Sequence, residues 1–273
     1  MSLNTRTEST QLCHWHTARI NQHAWPMCMH DTLIDCHISF TIMRTGCWEC
    51  PVLKEVLDIL KIHQNATLVD IGANIGYYSL AAAASGVVSR VHAFEASPRN
   101  ALLLQESVTR NGWADKVTLH AFALGAATGM LRLGTSRRNQ GGLHYTEAGG
   151  GTQVARIALD DVLPPATRPV FVKMDIEGAE CAVVHGMRHF LRASVHIIGF
   201  VVEVGQSHTC CNEWCGGGGL FRQLHARSLC PWSRGSNKSP KRSPLSLSTC
   251  RNWCTDGGTG DVMWVPCINS KRR

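Results

Sequence analysis

Apolar positions along this chain follow two rhythms that change at turn residues. Thr67–Ile71, Val91–Phe94, Val117–Ala123, Val170–Asp175 and His196–Val204 are short runs rich in branched side chains, and each reads as a strand. Between them, apolar residues recur at helical spacing over Val52–Ile62, Tyr77–Ala84, Ala101–Arg110 and Ala179–Ala193. Pro51 opens the first of these helices, while Ser85-Gly86 and Asn111-Gly112 close the second and third. Ile38–Met43 reads as a further strand, and residues 1–35 as a weakly structured, polar, His- and Cys-rich stretch. Residues 126–165 break the alternation. Two short β-like runs, Met130–Leu133 and Val154–Leu159, flank a glycine-rich connection and predict a surface hairpin. His196–Val204 is apolar throughout, as expected of a strand covered on both faces. A Gly216–Gly219 linker, a short helix around Leu220–Ser228 and a final strand Asp261–Pro266 follow.

Strands alternating with helices predict a Rossmann-like α/β fold, a doubly wound and mostly parallel sheet in three α/β/α layers. The predicted organisation is an N-terminal extension over 1–45, a core over 46–205 and a Cys/Gly/Ser-rich basic segment over 206–273. A chain of 273 residues can bury such a core.

Composition changes this picture at the two ends. Residues 206–273 hold 10 basic and 3 acidic side chains, the whole of the +7 net charge. The basic residues sit in Ser/Pro/Gly-rich sequence without interleaved aromatics, so a solvated loop is expected there, and no nucleic-acid partner. Twelve of the 13 cysteines lie outside the central block, which holds Cys181. No apolar leader or membrane-length apolar run is present, so reduced thiols and a cytoplasmic location are expected. Cys211-Asn-Glu-Trp-Cys215 and Cys250-Arg-Asn-Trp-Cys254 repeat a spacing that zinc or disulfides can also use.

The chemistry concentrates where the strands end. Thr67–Ile71 delivers the chain to Asp70-Ile-Gly72-Ala73-Asn74-Ile-Gly76, and the next strand closes on Phe94-Glu95, 25 positions after Asp70. That is the grammar of a βαβ nucleotide-binding unit. Asn74 tolerates a left-handed backbone nearly as well as glycine does, and no third glycine stands where a pyrophosphate would press on the helix. The turn therefore suits a nucleoside without phosphates, such as S-adenosylmethionine. Glu95 is expected to accept both ribose hydroxyls. Asp70 is expected either to orient the loop, to bind the cofactor amino group through water, or to serve structure alone.

A second constellation, Lys173-Met-Asp175-Ile-Glu177-Gly178-Ala-Glu180, ends the fourth strand beside the same crevice. Asp175 and Glu177 place two carboxylates at its mouth. Methyl transfer from a sulfonium needs positioning first, and a base only where the acceptor is a hydroxyl. Asp175 can instead hold the cofactor's ammonium group. Lys173 and Glu203, both in apolar strands, are expected to pair, since buried charges need partners, with a site role the alternative for Glu203 near its strand's end.

These residues together resemble the FkbM family of S-adenosylmethionine-dependent methyltransferases. The resemblance runs from Gly46-Cys-Trp-Glu49 through Val69–Gly76, Phe94-Glu95, Asn111-Gly112, Ala123-Leu-Gly125, Leu159-Asp-Asp161 and Lys173–Glu180 to Val202-Glu-Val204. It implies a class I methyltransferase sheet, ordered 3-2-1-4-5-7-6, with the last strand, here Asp261–Val265, antiparallel. It also implies methylation of a hydroxyl on a small molecule, sugar or lipid, with Glu49 near the cofactor. The expected cofactor-binding set is Asp70, Gly72, Ala73, Asn74, Gly76, Glu95, Ala96, Ala123 and Asp175. Asp175 and Glu177 are the catalytic candidates, and no metal is required. A nicotinamide-dependent oxidoreductase and a non-catalytic or zinc-containing interaction module are the alternative readings.

Overall fold

The computed structural model describes residues 12–134, 151–204, 224, 229–234, 242–244 and 260–266. Eight strands form the central sheet. They are β3 (Thr67–Ile71), β4 (Arg90–Phe94), β5 (Val117–His120), β9 (Val170–Met174), β10 (Ile197–Val204), β11 (Leu229–Arg234), β12 (Arg242–Pro244) and β13 (Gly260–Pro266), in the order β12-β11-β13-β10-β9-β3-β4-β5. From β5 to β10 every pairing is parallel, and β13 runs antiparallel to both β10 and β11. Leaving aside the short edge strand β12, this is the expected 3-2-1-4-5-7-6 order, with β11 as the sixth strand.

Side-chain alternation divides the core into two layers. Leu68, Val91, Ala93, Phe171 and Val201 face one side, under α2 (Cys50–Ile62), α3 (Tyr77–Ser85) and α4 (Pro98–Arg110). Val69, Ile71, Val172, Met174, Phe200 and Val202 face the other, under α5 (Glu180–Gly186) and α6 (Arg188–Ala193). The predicted single helix over 179–193 is thus two, joined at Met187. The third strand stops at His120, and the chain re-enters β structure at β6 (Ala123–Leu124) in a separate sheet. There β6 pairs with β8 (Thr152–Ile157), which forms the predicted hairpin with β7 (Gly129–Leu133).

The N-terminal stretch departs most from expectation. Residues 14–29 fold into an antiparallel hairpin, β1 (His14–Ile20) and β2 (His23–Met29), turned at Asn21 with φ 52°. It packs onto α3 and α4. The Tyr77 hydroxyl donates to the Arg19 carbonyl, Asn111 Nδ2 donates to the Pro26 carbonyl, and the Cys28 N–H donates to Ser107 Oγ. Trp25, Met27 and Met29 are fully buried, alternate residues of one strand facing the core. A disulfide joins Cys13 to Cys28, another joins Cys47 to Cys50, and Cys181 is also disulfide-bonded, which corrects the expectation of reduced thiols at these positions.

The predicted strand at Ile38–Met43 is instead α1 (Ile38–Thr45). Asp35 decides this. Its carboxylate accepts from the Ile38 and Ser39 N–H groups and from Ser39 Oγ, which satisfies the first-turn donors of a helix. The repeated Cys-x-x-x-Cys pair, the Gly216–Gly219 linker and the predicted 220–228 helix lie outside the described residues, residue 224 excepted. Among the described residues no helix is long and apolar enough to cross a membrane.

Candidate active site

The glycine turn leaves β3 at its carboxyl end and is latched to β4. The N–H groups of Gly72 and Ala73 both donate to the Phe94 carbonyl, at 3.0 and 2.9 Å. The Asn74 N–H donates 2.7 Å to Glu95 Oε2, the Ile75 N–H donates 2.8 Å to Asn74 Oδ1, and the Gly76 N–H donates to the Ala73 carbonyl. Gly72, Asn74 and Gly76 all adopt positive φ, at 76°, 55° and 89°. Asn74 holds the left-handed turn its residue type predicts. Every N–H from Gly72 to Gly76 is therefore spent inside the protein, and none is presented to a phosphate.

Gly72 is glycine for a second reason. A Cβ placed there would lie 1.8 Å from the Asp175 carbonyl oxygen. The turn thus rests directly on the backbone at the end of β9, which brings the two predicted constellations together. The Asp175 N–H completes the contact by donating to the Ile71 carbonyl.

Glu95 follows β4 and is buried. Besides the Asn74 N–H, its carboxylate accepts 2.7 Å from the Ser97 N–H and takes a hydrogen bond from the Asn100 side chain. Burial raises its pKa, against the opposing pull of those hydrogen bonds and of the Lys173 charge. Ala96 is half-buried beside it, and Ala123 is buried at the start of β6.

Lys173 occupies the centre. Strand register sets it directly opposite Asp70, and its Nζ lies 3.6 Å from Asp70 Oδ1 and 3.5 Å from Asp175 Oδ2 while donating 2.8 Å to the Gly72 carbonyl. The expected Lys173–Glu203 pair is not formed. Lys173 faces Val201 across the β9–β10 pairing, and Glu203 lies two residues further on, exposed and opposite Asp261. The nearer neighbour is β3. Burial pushes the Lys173 pKa down, but Asp175, Asp70, Glu49 and Glu95 together outweigh it and the net shift is upward, so the ammonium is held charged.

Asp70 is fully buried beneath the turn, where Ser79 Oγ donates 2.6 Å to its Oδ2. Asp175 is partly exposed at the end of β9, and Glu177 is exposed with φ 55°. The carboxylate that shapes this second turn is Glu180. Its Oε1 accepts from the Gly178 N–H at 3.0 Å and the Ile176 N–H at 3.4 Å. The sequence gives Glu180 no role, and it gives none to Tyr78, whose hydroxyl donates 2.9 Å to Glu49 Oε2 and whose ring lies 5.5 Å from Lys173 Nζ. A tyrosine on the first helical turn after the glycine turn is the signal that was available. Glu49 itself has a left-handed backbone, φ 47°, at the start of α2.

The donor set fits S-adenosylmethionine. The turn offers no phosphate-binding N–H, and Glu95 supplies a buried acid beside it. Among the described residues no His/Cys/Asp/Glu group is arranged to hold a metal.

Comparison with known proteins gives the following. The FkbM methyltransferase of Methylobacillus flagellatus KT is 20% identical, with a TM-score of 0.44 over 72% of this chain and 42% of its own, so this chain spans less than half of that protein. A SAM-dependent O-methyltransferase of Thermotoga maritima is 10% identical, with a TM-score of 0.40 over 91% of this chain and 76% of its own. The precorrin-6y C5,15-methyltransferase of Geobacter metallireducens GS-15 is 13% identical, with a TM-score of 0.39 over 80% and 90%. No curated protein matches. Residues 70–215, more than half of the chain, match the methyltransferase FkbM domain, and the chain belongs to that family.

Proposed function

We propose that this protein is an S-adenosylmethionine-dependent methyltransferase that methylates a hydroxyl of a small molecule, sugar or lipid. The observation that carries the reading is the closed set of turn N–H groups beside a buried Glu95. A nicotinamide dinucleotide needs free backbone donors for its pyrophosphate at this turn, whereas a nucleoside with an amino-acid tail does not.

When bound, the cofactor supplies an electrophilic methyl group on a sulfonium. The chain's residues do the rest. Glu95 accepts from a ribose hydroxyl through the one lone-pair site that Asn74, Ser97 and Asn100 leave free. Ala73, Asn74, Ala96 and Ala123 line the nucleoside side of the crevice, while Gly72 and Gly76 let the turn close onto Asp175 and Leu104. Asp70 acts from beneath by fixing Lys173, which ties the Gly72 carbonyl to Asp175. Asp175, with one oxygen beside Lys173, turns its exposed edge to the crevice. There it would accept a hydrogen bond from the acceptor hydroxyl and hold that hydroxyl's proton at its exposed carboxylate oxygen. Glu177 stands outermost, placed to contact the acceptor.

The test has two stages. S-adenosylhomocysteine should raise the melting temperature, NAD should not, and Glu95→Ala should weaken binding about ten- to a hundredfold. Tritium from labelled S-adenosylmethionine should then appear in one fraction of a metabolite, lipid or glycan pool, and Asp175→Asn should slow its transfer. Stabilisation by NAD alone would overturn the cofactor reading, and firm cofactor binding without transfer to any pool would overturn the enzymatic one.

A further inference from the structure

His30 follows the last residue of the hairpin and is almost completely buried, although it belongs to the stretch that sequence reasoning set aside as an extension. Its Nε2 lies 2.7 Å from Asn100 Oδ1, and Arg99 Nε donates 3.3 Å to its Nδ1. Asn100, in the first turn of α4 and equally buried, hydrogen-bonds the Glu95 carboxylate through its side chain.

The chemistry of these groups allows one arrangement of protons. Asn100 Oδ1 lies against His30 Nε2, so its carbonyl faces His30 and its NH2 is the group turned toward Glu95. The guanidinium of Arg99 can only donate, so His30 Nδ1 must be bare and Nε2 must carry the proton. Donation then runs one way, from Arg99 through His30 and Asn100 to Glu95. Burial lowers the His30 pKa, opposed by Asn100 and the Asp35 charge and assisted by Arg99 and His14, and so favours the neutral ring that this relay requires.

His30 therefore decides which end of the Asn100 amide faces Glu95. Without a donor at Oδ1, the amide can flip and press its carbonyl against the carboxylate. The other two donors to Glu95 are backbone N–H groups, one of them Asn74 of the turn that receives the nucleoside. Asn100 is thus a side-chain anchor from outside that turn. We propose that His30 is a positioning residue for ribose recognition, and that the N-terminal hairpin completes the cofactor site of this methyltransferase by holding Glu95 through Asn100. The proposal rests on Glu95 being the ribose acceptor.

Calorimetric titration of wild type, His30→Phe, His30→Gln and Glu95→Gln with S-adenosylhomocysteine and its 2′-deoxyribose analogue tests this. His30→Phe should bind S-adenosylhomocysteine about five- to tenfold more weakly, the loss of roughly one hydrogen bond. It should lose less for the deoxy analogue, so that discrimination between the two falls. His30→Gln, which can still donate to Asn100, should recover most of that discrimination. Equal losses for both ligands, or none, in His30→Phe would overturn the proposal while the Glu95→Gln loss upholds the ribose reading. An unchanged Glu95→Gln would overturn that reading itself. Nitrogen-15 imidazole spectra of the unaltered protein give an independent check, since a protonated Nδ1 on His30 excludes the relay.

Discussion

Asp70 and Lys173 face each other across the β3–β9 pairing, carboxylate to ammonium at 3.6 Å, both removed from solvent beneath the glycine turn. A buried ion pair adds little net stability, but removing one partner strands the other in a poor solvent. Lys173→Met should therefore destabilise the fold by about 3–5 kcal/mol, because Asp70 keeps only Ser79 and the Gly72 carbonyl loses its donor. Adding Asp70→Asn to Lys173→Met should return part of the loss, a coupling that a double-mutant cycle in urea unfolding measures directly. Strictly additive losses would show that the two charges act independently.

The two glycines of the turn predict unequal costs. At Gly76 a Cβ would meet Leu104 Cδ1, the far end of a side chain that can move, so Gly76→Ala should cost chiefly its left-handed backbone, about 1–2 kcal/mol. At Gly72 the obstacle is the Asp175 carbonyl, which is backbone. Gly72→Ala must push β3 and β9 apart at their ends, so it should cost at least twice as much and also weaken S-adenosylhomocysteine binding. Denaturant unfolding and titration of both variants decide the order, and equal costs would contradict it.

The parts of this site that were legible in the sequence are those set by local chain chemistry. Asn74 and the flanking glycines announce a left-handed turn, and an apolar run closing on Phe94-Glu95 announces the second strand, because both signals lie within a few residues. The strand order followed from the family resemblance, and the β-sheet register bears it out. The features not read from the sequence have different causes, one distant in the chain and others local. The apolar strands alone suggest Glu203 on β10 as the partner of Lys173, but β3 on its other side supplies Asp70. The run Ile38–Met43 predicts a strand, whereas the deciding group for helix α1 is the Asp35 carboxylate just before it. The hairpin did carry a signal, since Trp25, Met27 and Met29 alternate after an Asn21-Gln22 turn. Pro26 and the surrounding histidines obscured it.

His92 and His120 lie on adjacent strands with Nδ1 and Nε2 3.2 Å apart, and this pair gives the fold an acid-sensitive edge. Burial, together with the charges of His120 and Arg90, lowers the His92 pKa from 6.5 to about 4. The neutral ring is therefore favoured in the fold, while the unfolded chain binds a proton as soon as the pH drops below about 6.5. More protons are bound in the unfolded state across that interval, so stability is complete above pH 6.5 and declines as the pH falls toward 4. The full linkage would be about 3.4 kcal/mol, but the ring is only half-buried and solvent screens part of it, so about 1–2 kcal/mol is expected. His30, His63 and His120 are lowered in the same direction and add to the same limb. His92→Gln removes one titrating group and should flatten, without abolishing, the fall in unfolding free energy between pH 7 and pH 5. Urea unfolding at several pH values reads that slope, and identical slopes in the variant and the unaltered protein would remove His92 from the acid response.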